Sequence, residues 1–281
     1  MAELIVRRLL VDLQTPLPRH WNGGDAFRSA MFNALSMSFP VGEQFFIDSM
    51  RLGLKQLDEA GHARFADEVQ GFIGQEATHR RIHALFNEHL ARQGLRNHWE
   101  PRARRRMQRL DGVDPRIWLA ATAATEHFTA ILAEYLLCHE TPLAGAEPRL
   151  RDLWLWHASE ESEHRSTAFD LYRALGGNEA WRRRLFWLVS WHFSCDLLRQ
   201  TLNNLWHDGS WWRPSTWASA WRMTFGREGF VRCTHKAWKA YLRPDFHPSQ
   251  GDGEPGLQWL AAHGDIAVPV RQTPGAATAQ G

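Results

Sequence analysis

Apolar residues recur at helical spacing through most of this chain, and no stretch shows the alternation of a half-buried strand. Punctuation by Pro, Gly and capping residues divides the pattern. Residues 1–24, broken by Pro16, Pro18 and Gly23-Gly24, read as an extended N-terminal arm. Asp25 is a good N-cap for a first helix running to Ser38. Pro40 is expected to end that helix and begin a second over about 41–57. A long helix should follow over about 58–91, although Gly61, Gly71 and Gly74 weaken its propensity, so packing or metal must hold it. Asp114-Pro115 is a cap with a proline at the first helical position, and predicts a helix to about Cys138. After a turn at Thr141-Pro142 and Gly145, a helix over about 148–175 should stop at Gly176-Gly177. Further helices are expected over about 179–206 and 214–242, and a Gly/Pro-rich tail, docked or disordered, over 243–281. The fold class is therefore all-α, with 25–242 read as one helical domain.

Composition narrows the use of such a domain. Net charge is +2, which gives no strong pull toward nucleic acid. Seven arginines between Arg92 and Arg109 have little aromatic interleaving, and read as a solvated crossover between two helical halves. Cys138, Cys195 and Cys233 are scattered and odd in number, which suits a reducing cytoplasm. The N-terminus lacks the order of a signal peptide, and the longest apolar run, Leu185 to Leu198, is interrupted by polar residues and too short to span a bilayer.

Candidate chemistry lies in four fragments: Glu43, Glu76-x-x-His79, Glu126, and His157-x-x-x-Glu161-x-x-His164. Residues three or four apart share one helix face, so each fragment points its ligands one way. Two helices giving one Glu and two giving Glu-x-x-His form the ligand set of a ferritin-like di-iron or di-manganese bundle. The separations from Glu43 to Glu76 and from Glu126 to Glu161 are nearly equal, as expected of one helical hairpin used twice. A single Glu-x-x-His is usually a solvated face. Here Glu43 and Glu126 sit in apolar runs, where an ionised carboxylate needs a partner. Two divalent ions would balance four carboxylates; without them most would have to take up protons. The expected centre is two iron ions, with manganese or zinc as the other candidates, in a four-helix bundle over about 25–175. His157 is an additional nitrogen ligand. His83, seven residues after Glu76, is a further in-phase candidate, and His127 points elsewhere. One turn from the ligands, Phe46, Ile47, Phe72, Ile73, Thr122, Thr129 and Ala130 are candidates to line a substrate site. The His207-Asp208 pair stands alone.

Twelve of the 15 tryptophans follow residue 150. Such a half suits core or homodimer packing first, then a wall around an apolar substrate, then peripheral membrane contact.

The blocks Pro40-Val41-Gly42-Glu43-Gln44-Phe45-Phe46, Thr125-Glu126-His127-Phe128-Thr129-Ala130, Glu160-Glu161-Ser162-Glu163-His164 and Pro244-Asp245-Phe246-His247-Pro248 resemble the bacterial family catalogued as predicted metal-dependent hydrolases. The resemblance covers most of residues 15–248 and implies a ferritin-like fold. The ligand string alone is similar to that of di-iron arylamine N-oxygenases, which also place a His four residues before the last Glu-x-x-His. That resemblance implies an enzyme using O₂ to oxidise a small apolar or aromatic substrate. The first implies hydrolysis by a metal-activated water, with Glu160 or Glu163 as a conceivable base. Iron storage or a structural metal is the third reading.

Overall fold

The computed structural model describes residues 4–270. The ends of the expected arm and tail, 1–3 and 271–281, lie outside the described residues. Four long elements form two hairpins packed on each other. The first hairpin is α1 (Ala26–Leu54) and α2 (Glu59–Arg92); the second is α4 (Pro115–Cys138) and α5 (Pro148–His164). Asp25, Asp58 and Asp114 each cap their helix through the side chain, Asp25 and Asp114 as expected. Between the hairpins runs a short helix, α3 (Trp99–Met107). After α5 come α6 (Thr167–Ala174), α7 (Glu179–Asp208), α8 (Pro214–Phe225), α9 (Phe230–Ala240) and α10 (Glu254–Ala262). Helix α7 lies across α1 and α4, and α10 packs on α5. No helix among the described residues is long and apolar enough to cross a membrane.

Two apolar cores sandwich a polar layer; α1, α2 and α4 pass through both, and α5 reaches the second through α6. One core joins Phe32, Phe39, Phe86, Leu136, Trp154 and Trp156. The other joins Phe45, Phe46, Phe72, Leu119, Phe169 and Tyr172. Glu43, Glu76, His79 and Glu126 fall between the two on their own helices, and Glu161 and His164 between the core residues of α5 and those of α6.

Four expectations need correction. Helix α1 runs unbroken through Pro40. A proline frees the carbonyl four residues earlier, here that of Ser36, and Asn87 Nδ2 donates to it at 2.9 Å. The helix expected over 148–175 breaks at Arg165-Ser166, directly after His164; beyond the turn, Thr167 donates to Glu68 at 2.8 Å. The helix expected over 214–242 divides because Gly226 and Gly229 form a turn so tight that a Cβ on either would strike backbone. The arm and tail are joined by two short strands, β1 (Arg7–Leu9) and β2 (Ala267–Pro269), paired antiparallel. Three-residue strands are too short to leave a period in the sequence.

The arm lies against α2. A Cβ on Gly71 would sit 2.6 Å from Leu4 Cβ, and one on Gly74 would strike Val6. These glycines therefore admit the arm, at some expense in helix propensity. The tail is anchored by Phe246 against buried His127, and by His247, whose Nε2 lies 2.7 Å from Asp170.

Candidate metal centre

Glu76, His79, Glu161 and His164 each offer one ligand atom within 4.8 Å of the others, and Glu43, His79 and His157 do the same. Glu126 joins them: its Oε2 lies 3.0 Å from His164 Nδ1. All seven side chains are buried. Many of their polar atoms have no hydrogen-bond partner: both oxygens of Glu43 and of Glu76, Glu126 Oε1, Glu161 Oε2, His79 Nδ1 and His164 Nε2. Buried polar atoms are otherwise almost always satisfied, because each orphan costs roughly 1–3 kcal/mol. Convergent orphans on four carboxylates and two imidazoles fit a pair of divalent cations.

Electrostatics agree. Burial, then the charge of Glu161, pushes Glu43 and Glu76 well above the usual carboxylate range. The same causes raise Glu126 to about 7. Burial would lower His164, but Glu126 and Glu161 outweigh it and raise it to about 9. Burial also acts on Glu161, yet the His164 charge and the His157 hydrogen bond hold it below its ordinary value. Burial lowers His79, and neighbouring His157 adds to this. Without metal the layer must therefore carry extra protons, which bound cations would replace.

The ligands are oriented from behind. His79 Nε2 is 2.9 Å from Glu160 Oε2. A metal on His79 Nδ1 requires the proton on Nε2, and Glu160 is the acceptor placed for it. Glu160 is buried, which raises its pKa to about 8 against the opposing charge of Arg7. Arg7, from β1, reaches Glu160 at 3.3 Å and Glu163 at 2.8 Å; Gln75 also donates to Glu163 at 2.8 Å. Neither acid lines the cavity beside the centre. Both support the site from the arm side, which corrects the expectation of a base.

His157 is held by a second chain of bonds. Asn87 Nδ2 faces a carbonyl, so its Oδ1 accepts from Ser36 Oγ at 2.8 Å. With its proton engaged, Ser36 Oγ accepts from His83 Nδ1 at 2.9 Å. His83, whose pKa burial keeps low, then accepts at Nε2 from His157 Nδ1, 2.8 Å away. His157 Nε2 is the ring nitrogen left facing the layer, 2.8 Å from Glu161 Oε1. His83 thus meets His157 rather than the carboxylates. His127 is remote: its Nε2 donates to the Ala237 carbonyl at 2.9 Å. Asp208 of the His207-Asp208 pair ties the arm to α7 through His20 at 2.7 Å.

A cavity of about 360 Å³ opens beside Glu43. It lies among α1, α3, α4 and α7, with Phe39, Phe46, Trp99, Ile117, Leu188 and Phe193 among its walls. Of the residues expected to line a substrate site, Phe46 and Thr129 do so; Ile47, Phe72, Ile73 and Thr122 are buried, and neither they nor Ala130 line the cavity. Spacing along a helix marks all residues near a ligand, but the cavity beside Glu43 lies on only one side of each helix. Five of the seven crossover arginines, Arg92, Arg96, Arg104, Arg105 and Arg109, are exposed as expected, and two are not. Arg102 and Arg106 of α3 both pair with buried Asp196 of α7, so the crossover is a cavity wall. Isolated Asp196 in an apolar stretch was the sequence signal for such a pair.

A family model described as predicted metal-dependent hydrolase matches residues 5–252. No curated protein and no solved structure matches the chain.

Proposed function

Since the chain belongs to the predicted metal-dependent hydrolase family, we propose that its buried Glu/His layer is a two-metal catalytic centre, and that this centre uses O₂ to oxidise an apolar or aromatic substrate held in the adjoining cavity. Glu43, Glu76, His79, Glu126, His157, Glu161 and His164 would hold the metals. Bound iron would supply redox chemistry with O₂, and bound zinc would supply Lewis-acid chemistry with water.

The cavity carries the choice of oxidation. Hydrolysis develops charge on an oxygen, which bound metals stabilise and hydrogen-bond donors of the wall would assist. Near Glu43 the wall offers the hydroxyls of Thr125 and Thr129, and both donate back to α4, to Ala121 and Glu126 carbonyls at 2.9 Å. The surrounding wall is aromatic and aliphatic. Such a wall orients an apolar molecule beside the centre, which suits oxygen chemistry. Hydrolysis is the second reading, favoured by the family's description. Unpaired Cys138, Cys195 and Cys233 suit a reducing cytoplasm in either case.

Metal analysis of protein from iron-supplemented cells, followed by mixing of the ferrous protein with O₂, separates the two. Oxidation predicts about two irons per chain and a transient visible absorption whose decay an apolar substrate accelerates. Zinc in the centre, no reaction with O₂ and turnover of esters would establish hydrolysis instead.

A further inference from the structure

We propose that the cavity takes an amphiphile with an anionic head and an apolar tail, tail inward. This deepens the reading of the metal layer as the reaction site. The stripe Ile117, Ala121, Thr125, Thr129 of α4 lines the cavity over roughly 18 Å at 1.5 Å per residue. Glu43 is the acid at its inner end, and no other acid lines it. The cations of its lining are Arg106, Arg109 and His192, of which Arg109 is exposed and the other two half-buried. Arg102 and Arg106 share the single carboxylate of Asp196, and exposed Arg109 has no ion pair or hydrogen bond among the described residues. The rim therefore carries cationic charge in excess of its one acid. An acidic head gains a charge-assisted partner there, while a neutral head gains none. Carboxylate, sulfate and phosphate heads share this chemistry. The position exposed to the centre is then at the tail, far from the head.

Binding of decanoate, decyl phosphate, decanol and decylamine to the metal-free full chain, measured by calorimetry, tests this without turnover. Both anions should bind about tenfold or more tightly than decanol, since a hydrogen bond to a charged group contributes about 1.5–3 kcal/mol. Arg109→Gln should reduce that preference to about twofold or less, with decanol binding unchanged. If decanoate alone shows the preference, the head is a carboxylate; if decyl phosphate alone does, it is a phosphate. Equal affinity for all four, or a preference that survives Arg109→Gln, overturns the proposal. Loss of the O₂ reaction with anion preference intact would count against the oxidation reading alone.

A different observation carries a second proposal: the outer face of α7–α9 docks on an anionic lipid bilayer. Along α7, Trp187, Leu188, Trp191, Leu198 and Trp206 form one exposed stripe at helical spacing, with Trp191 69% exposed. Trp212, at 75%, continues it in the turn before α8, and Trp217 and Trp221 on α8 itself. Arg184, Arg199, Arg213, Arg222, Arg232 and Lys239 interleave with it and make no ion pair among the described residues. Tryptophan beside unpaired cations fits the headgroup region of an anionic bilayer. A second copy of this face would set like charge against like. Leu188 belongs to both the stripe and the cavity wall, so an amphiphile in the bilayer would meet the cavity there.

Sedimentation with phosphatidylglycerol and phosphatidylcholine vesicles tests the face. The chain should bind the anionic vesicles, with a blue shift of tryptophan emission, and release as salt is raised. Trp191→Ala with Trp212→Ala should weaken binding while the far-ultraviolet spectrum stays unchanged. Absence of vesicle binding overturns the proposal, as does a dimer in ultracentrifugation that Trp191→Glu dissociates.

Discussion

Pro40 cannot donate to the carbonyl of Ser36, and the side chain that fills the gap, Asn87, begins the chain of bonds ending on His157. One local defect in α1 thus sets a tautomer on α5. Replacing His83 by Ala should weaken iron binding about 10–100-fold, as loss of an orienting partner does, measured by competition with a chelator. His157→Ala should lower iron per chain and change the kinetics with O₂; unchanged values in both would remove His157 from the ligand set. The carboxylates make a separate prediction for metal-free protein. Glu126, Glu160 and His164 are raised to about 7, 8 and 9, and Glu43 and Glu76 lie well above their ordinary values. In each the folded state holds its proton to higher pH than the unfolded chain does. Stability therefore falls as pH rises through these values. The lowered histidines His79 and His83 act in the opposite sense only below their ordinary 6.5. The melting temperature of metal-free protein should accordingly drop between about pH 6.5 and 9, and metal should flatten the drop. A rise across that range would contradict the buried, proton-rich layer.

At the scale of elements, helix starts are legible and helix ends less so. Asp25, Asp58 and Asp114 each act through a side-chain bond to the first turn, a local event written in three or four residues. Continuation through Pro40 depends on Asn87 of another helix, and the break after His164 re-aims a helix toward Glu68. Neither partner is adjacent in sequence. The glycines of α2 belong to the same class. Gly71→Ala gains up to about 1 kcal/mol of helix propensity, but its Cβ would meet Leu4 at 2.6 Å, and overpacking costs about 1–3 kcal/mol. Urea unfolding should show a net loss of stability, and iron affinity should fall with it, because the displaced strand carries Arg7. A more stable variant would mean that the arm does not press on α2.

For the whole molecule, the metal layer is the seam between two hairpins. Each hairpin brings carboxylates that repel those of the other, with apolar cores above and below. Bound cations would turn that repulsion into attraction across the seam. Metal at about 100 times its dissociation constant should add about 2.7 kcal/mol, seen as a reversible rise in melting temperature that chelator removes. Equal melting with and without metal would mean that the layer holds no ion.

The sequence alone determined the all-α class, the hairpin repeat and the seven side chains of the polar layer, because each depends on helical phase and on acids embedded in apolar runs. Tertiary structure decided what surrounds them. Arg7, Glu160 and Ser36 act across long sequence separations, the cavity needs α3 and α7 to close it, and the tryptophans of α7 and α8 prove to be outside rather than in the core. Phase tells which residues share a face of one helix; only packing tells what that face meets.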